Sequence, residues 1–66
     1  MAIRNRIRSL RKEHGWTQAD LAQLVQVSRQ TIISLEKGSY VPSLELAMDL
    51  AVVFELPVEE IFKKER

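Results

Sequence analysis

The sequence predicts an all-α fold of five short helices, and three observations predict it. Apolar residues recur three and four positions apart along most of the chain, the spacing that lines one side of a helix. Hydroxyl residues able to cap helix starts stand at Thr17, Ser28 and Ser43, while Gly15, Gly38, Pro42 and Pro57 mark the breaks between helices. The connection between the second and third helices is only three or four residues long.

Each element has its own signal. The first helix is expected from Ile3 to His14, because Ile3, Ile7 and Leu10 fall four and three apart with arginines around the remaining sides, and Gly15 ends it. Thr17 then caps a second helix containing Ala19, Leu21, Ala22 and Leu24. Asp20, three residues after the cap, makes a capping-box pattern with Asp in place of the usual Glu or Gln. Ser28 caps a third helix with Ile32 and Leu35 inward, closing at Gly38, where a left-handed residue costs glycine little. Gly38 to Pro42 reads as a loop, since Pro42 pushes Val41 away from helical angles. Ser43 caps a fourth helix that is apolar nearly all round, with only Glu45 and Asp49 clearly outward; such a helix is the central post of the fold or also faces a partner. A strand over Ala51 to Leu56 is the rival reading, against which the capped start and continuous spacing argue. Pro57 suits the first position of a last helix, Val58 to Phe62, with Glu59 and Glu60 in its first turn, before a charged tail.

Composition bounds the function. A chain of 66 residues is expected to form one domain, 1–66, burying about 60% of its unfolded surface. With 45% hydrophobic and 29% charged residues it has the balance of a soluble globular protein. Zero cysteines and a single histidine exclude a disulfide framework and leave too few ligands for a structural zinc site, so no cofactor and no metal are expected. Association with another copy is then the remaining common supplement to a small core. The longest apolar run, Leu50 to Phe54, is far below the roughly 20 residues of a bilayer span. The basic start is followed by no apolar run, so it is not a secretory signal, and a cytoplasmic location is expected. Carboxylates lie on helix exteriors and no nucleophile neighbours a base, so nothing supports catalysis. Net charge is +1, but residues 1–40 carry +4 and residues 41–66 carry −3, a polarity that lets one side dock on a polyanion. Solvated surface charge accounts for the same pattern equally well.

The short connection carries the functional reading. A three- or four-residue turn sets two helices at about 90–120°, the geometry of a helix-turn-helix, whose second helix enters the major groove. With Ile32 and Leu35 inward, Arg29, Gln30, Ile33 and Ser34 point out. Arg can take guanine O6 and N7, Gln can take adenine N6 and N7, and Ile33 can pack on a thymine methyl or serve as a satellite of the core.

The segment TQADLAQLVQVSRQTIISLEKG, Thr17 to Gly38, resembles the helix-turn-helix of the phage repressor and Cro family, the Xre family, and the flanking helices match its five-helix, lambda-repressor-like arrangement. Gln18, Ala22, Val27, Ser28, Ile32, Leu35 and Glu36 stand where that family has them. The resemblance implies that Gln18 holds a phosphate, that Arg29, Gln30 and Ser34 meet base edges, and that the loop of Lys37, Ser39 and Tyr40 binds backbone. Ser28 would serve as cap and phosphate contact together. Gln26 replaces the family's usual turn glycine in a left-handed position that costs a non-glycine residue on the order of 1 kcal/mol. Of the arginines and lysine on the first helix, only Arg11, near the motif, is assigned to phosphate; on the others solvation suffices as an explanation. His14 is expected as a dipole partner at the first helix's end, Trp16 as core or lid, and Tyr40 as a packing residue, a phosphate donor or both.

Val41, Met48, Val52, Leu56, Val58 and Phe62 are more apolar surface than so small a core requires, so a homodimer through the last two helices and tail is expected, with an inverted-repeat operator on double-stranded DNA. A transcriptional repressor is the leading expectation, with no small-molecule ligand. An antitoxin or restriction controller of the same fold, or an association module without specific DNA binding, are the alternatives.

Overall fold

The computed structural model describes residues 2–65 and contains five helices plus one pair of strands. The elements run β1 (Ala2–Asn5), α1 (Ile7–Glu13), α2 (Gln18–Leu24), α3 (Arg29–Lys37), α4 (Leu44–Phe54), α5 (Val58–Ile61) and β2 (Phe62–Glu65).

The caps form as their chemistry dictates. At α2 the Asp20 amide donates to Thr17 Oγ1 at 3.0 Å and the Thr17 amide donates to Asp20 Oδ2 at 2.9 Å, a reciprocal capping box. The Thr31 amide donates to Ser28 Oγ at 3.2 Å, and the Leu46 amide to Ser43 Oγ at 3.1 Å. Gly38 closes α3 at φ 77°. Gln26 takes the left-handed conformation the turn demands, at φ 58°, and Glu55 does the same at the end of α4, at φ 56°.

Both termini differ from the helical expectation. Residues 2–5 and 62–65 pair antiparallel, with Ala2 opposite Glu65, Ile3 opposite Lys64, Arg4 opposite Lys63 and Asn5 opposite Phe62. The helix therefore begins at Ile7 rather than Ile3, and the last helix stops at Ile61 rather than Phe62. The physical reason lies in Asn5. Its Oδ1 accepts the Ile7 amide at 3.1 Å while its Nδ2 donates to the Leu35 carbonyl at 2.9 Å, so the side chain ends the strand, starts the helix and ties both to the last turn of α3. Arg6 secures the other side, its amide donating to the Ile61 carbonyl at 3.0 Å and its Nε to the Glu60 carbonyl at 2.9 Å.

Every helix contributes to one core. Ile7, Leu21, Ile32, Leu35, Leu50 and Ile61 are fully buried, and Leu10, Ala22, Val25, Leu46 and Phe54 pack with them. Trp16 lies over this core as a lid, stacked on His14 with ring centroids 4.3 Å apart and 5.8 Å from Phe54. No helix among the described residues is long and apolar enough to cross a membrane.

Candidate nucleic-acid interface

Residues 25–28 join α2 to α3, with Val25 buried, Val27 packed on the core and Gln26 turned outward between them. The Val27 amide donates to the Ala22 carbonyl at 2.9 Å and fastens the turn to α2. On α3, Ile32 and Leu35 occupy the inward face, so the helical period leaves Arg29 and Gln30 exposed and Ile33 and Ser34 half-buried at the margin.

Three clefts surround the outer ridge of α3. One, at the start of α2, is lined by Arg11, Gly15, Trp16, Thr17, Gln18, Ala19 and Arg29. A second is lined almost wholly by hydroxyl and amide groups, from Ser28, Gln30, Thr31, Ser34, Ser39 and Tyr40. The third is lined by Arg8, Arg11, Gln18, Ile33, Glu36 and Lys37. All ten residues assigned to DNA from the sequence thus border these clefts, although not all present a free polar group.

Arg11 is the departure. It is expected at a phosphate, but its side chain is only 10% exposed and its guanidinium faces inward. Its Nε donates to Glu36 Oε2 at 2.7 Å, its second nitrogen reaches Glu36 Oε1 at 3.2 Å, and its third donates to the Trp16 carbonyl at 2.9 Å. The fork-to-carboxylate pair joins α1 to α3 across the start of α2. The reason is positional: Arg11 follows Ile7 by four residues and so shares its inward face.

From Glu36 the hydrogen bonds continue outward. Gln18 Nε2 donates to Glu36 Oε1 at 3.2 Å, and the Arg29 guanidinium donates to Gln18 Oε1 at 3.4 Å. A buried ion pair therefore orients Gln18, which in turn touches the outermost cation of α3. Burial pushes the Glu36 carboxyl up, but hydrogen bonds from Arg11 and Gln18 and the charges of Arg11 and Arg8 outweigh it and hold the carboxyl below its ordinary range.

One residue escaped the sequence reading, and another, Arg8, was set aside there as merely solvated. Thr31 lines the hydroxyl cleft, with its Oγ1 3.0 Å from Ser28 Oγ; its position three residues after the cap is a signal that could have found it. Arg8 borders the third cleft beside Lys37, and nothing in the local sequence separates it from the other arginines of α1.

The expected dimer residues divide. Val41, Met48 and Val52 are exposed, whereas Leu56 and Phe62 pack against the core and Val58 is half-buried. Phe62 is drawn in by the strand pairing opposite Asn5. Leu44, 75% exposed, joins Met48 and Val52 at four-residue spacing on α4, and Leu24 on α2 borders the same cleft as Val52.

Comparison with known proteins agrees with this geometry. A helix-turn-helix family model matches residues 7–61, from the start of α1 to the end of α5. The chain is 50% identical over 60 residues to an uncharacterized HTH-type transcriptional regulator of Archaeoglobus fulgidus, covering 91% of this chain and 86% of that one. It is 48% identical over 60 residues to one of Methanocaldococcus jannaschii, covering 91% of each chain. With the HTH-type transcriptional regulator YgzD of Bacillus subtilis the identity is 40% over 60 residues, again covering 91% of each. The chain belongs to the phage repressor and Cro type of helix-turn-helix proteins, the Xre family of DNA-binding transcriptional regulators.

Proposed function

We propose that the chain binds double-stranded DNA sequence-specifically, with α3 in the major groove, and acts as a dimeric repressor within the cytoplasm, residues 1–66 working as one DNA-binding domain without enzymatic activity. The observation that carries this reading is the outer ridge of α3: Arg29 and Gln30 are exposed there, beside two open clefts, on a helix whose other face is locked into the core. A ridge flanked by clefts matches a groove floor flanked by two phosphate rims, since the major groove is about 12 Å wide and admits one helix. Arg29, Gln30, Ser34 and Ile33 then face base edges, while Gln18, Ser28, Lys37, Ser39 and Tyr40 face the rims.

Dimerisation rests on the apolar stripe of Leu44, Met48 and Val52 with Val41, whose exposures run from 55% to 75%. Four neighbouring apolar residues this open are unusual on a monomer of this size. Two copies related by a two-fold axis would present their α3 helices to an inverted repeat with half-sites one turn, about 34 Å, apart.

Selection of bound sequences from random duplexes tests the reading, followed by Arg29→Ala and Gln30→Ala on the selected site. Each is expected to cost about 1–3 kcal/mol and to relax preference at one base pair, whereas Lys37→Ala weakens all duplexes alike. Equal losses on every sequence from all three variants would remove α3 as the reader.

A further inference from the structure

We propose that Arg8 of α1 and Lys37 of α3 together form a clamp for a single backbone phosphate of DNA on one flank of the recognition helix, taking the place the sequence assigns to Arg11. The proposal rests on the reading of α3 as the groove helix and names a contact that reading lacks.

Arg8 and Lys37 are both exposed and border one cleft, with Ile33 and the inner pair Arg11 and Glu36 between them. Neither cation takes part in an ion pair among the described residues, which join Arg4 to Glu65, Arg11 to Glu36 and Lys63 to Glu60. The only carboxylate in the cleft, Glu36, is 94% enclosed by its side chain's surroundings and already neutralised by Arg11 at 2.7 Å, so it does not oppose an incoming anion. Arg8 lies close enough for its charge to act on Glu36 but donates no hydrogen bond to it, which leaves all its donors for a ligand.

The cleft differs from its counterpart across α3. The counterpart offers hydroxyls and an amide but no cation, whereas this one offers the two unpaired cations Arg8 and Lys37 beside Ile33, Gln18 and the Arg11–Glu36 pair. A helix lying in the major groove has a phosphate rim on each side, and a rim phosphate is a monoanion that needs donors converging from separate elements. Arg8 and Lys37 converge in that way: the first comes from α1 and the second from the last turn of α3, and the Arg11–Glu36 pair sets the spacing between those two helices. A guanidinium and an ammonium at a phosphate also explain why a position on α1, outside the motif, carries a free cation toward the groove.

The experiment uses the whole chain and a random-sequence duplex, with binding followed by fluorescence anisotropy across a salt series. Wild type is expected to lose affinity linearly in log salt, and Arg8→Gln and Lys37→Gln are each expected to shallow that slope by about 0.9, with both together shallowing it by about 1.8. Lys64→Gln, on the distant strand β2, is expected to leave the slope nearly unchanged. Arg8→Gln with the wild-type slope, or a change no larger than that of Lys64→Gln, overturns the clamp while leaving α3 as the reader intact. A wild-type chain that binds no duplex overturns both. Since Arg8 is exposed and forms no side-chain hydrogen bond or ion pair among the described residues, unaltered circular dichroism in its variant is the check that the loss is one of contact.

Discussion

At the scale of single residues the decisive group is Glu36. It accepts from Arg11 and Gln18 in a place its side chain leaves only 6% open, so it is both the anchor of three helices and the root of the chain that reaches Arg29. Removing one member of a buried pair strands the other charge, which typically costs about 3–5 kcal/mol. Glu36→Gln is therefore expected to lower unfolding free energy by roughly 3 kcal/mol in urea titration, and the double change Arg11→Met with Glu36→Leu to recover most of that loss. The pH dependence has a fixed sign. A carboxyl held below its ordinary value stabilises the fold at neutral pH, and that stabilisation fades as pH falls below about 4.5. Asp20, whose carboxylate accepts the Thr17 amide in the capping box, is likewise held low and works in the same direction. Wild type should thus weaken on acidification from pH 5 toward 3, and Glu36→Gln should show a shallower decline. Arg11 illustrates what sequence can and cannot give. Its place four residues after Ile7 marks it as inward, yet its partner is 25 positions away and no local pattern names it.

Among the elements, the helices were legible because their signals are local. Thr17, Ser28 and Ser43 each supply an oxygen to an amide three residues on, and Ile32 and Leu35 fall on one face by period alone. The left-handed Gln26 was legible only through the family resemblance, where it stands in the place of a turn glycine. There Gln26→Gly is expected to stabilise the protein by about 1 kcal/mol, read as a rise in melting temperature of a few degrees, since glycine takes φ 58° without the side-chain penalty. Glu55 occupies the same conformation, but no glycine or asparagine marked it, so Pro57 signalled the break after α4 without showing which residue turns left-handed. The strands were illegible for a different reason. Four residues at each end, two of them lysines in β2, cannot declare a strand when the partner lies some sixty positions distant, and the four-residue step from Ile3 to Ile7 imitates a helix. Asn5, which decides the matter, reads as an ordinary polar residue until Leu35 is beside it.

For the molecule as a whole, size and surface argue together. Its longest extent is 32 Å, so one copy reaches no farther than about one turn of DNA and can present a single groove helix to it. The stripe on α4 is the surface on which the proposed second copy would extend that reach, and Glu45 and Asp49 beside it put negative charge on this side. Met48→Glu and Val52→Glu are expected to shift sedimentation at micromolar concentration from dimer to monomer and to weaken an inverted repeat much more than a single half-site. Unchanged sedimentation in both variants would move the interface elsewhere. The candidate site was legible in kind, since α3 and its polar ridge follow from Thr17 to Gly38 alone. Its electrostatics were not, because which arginine is free depends on how α1 crosses α3, a three-dimensional fact.

The pairing of Ala2 with Glu65 has a kinetic corollary. Contacts between such remote positions form only after the intervening segments have condensed, because closing so long a loop is entropically disfavoured until other contacts shorten it. The ribbon is thus a clasp, fastened late in folding and released early in any local opening. Through Asn5 its release would loosen the last turn of α3, the end opposite Arg29 and Gln30.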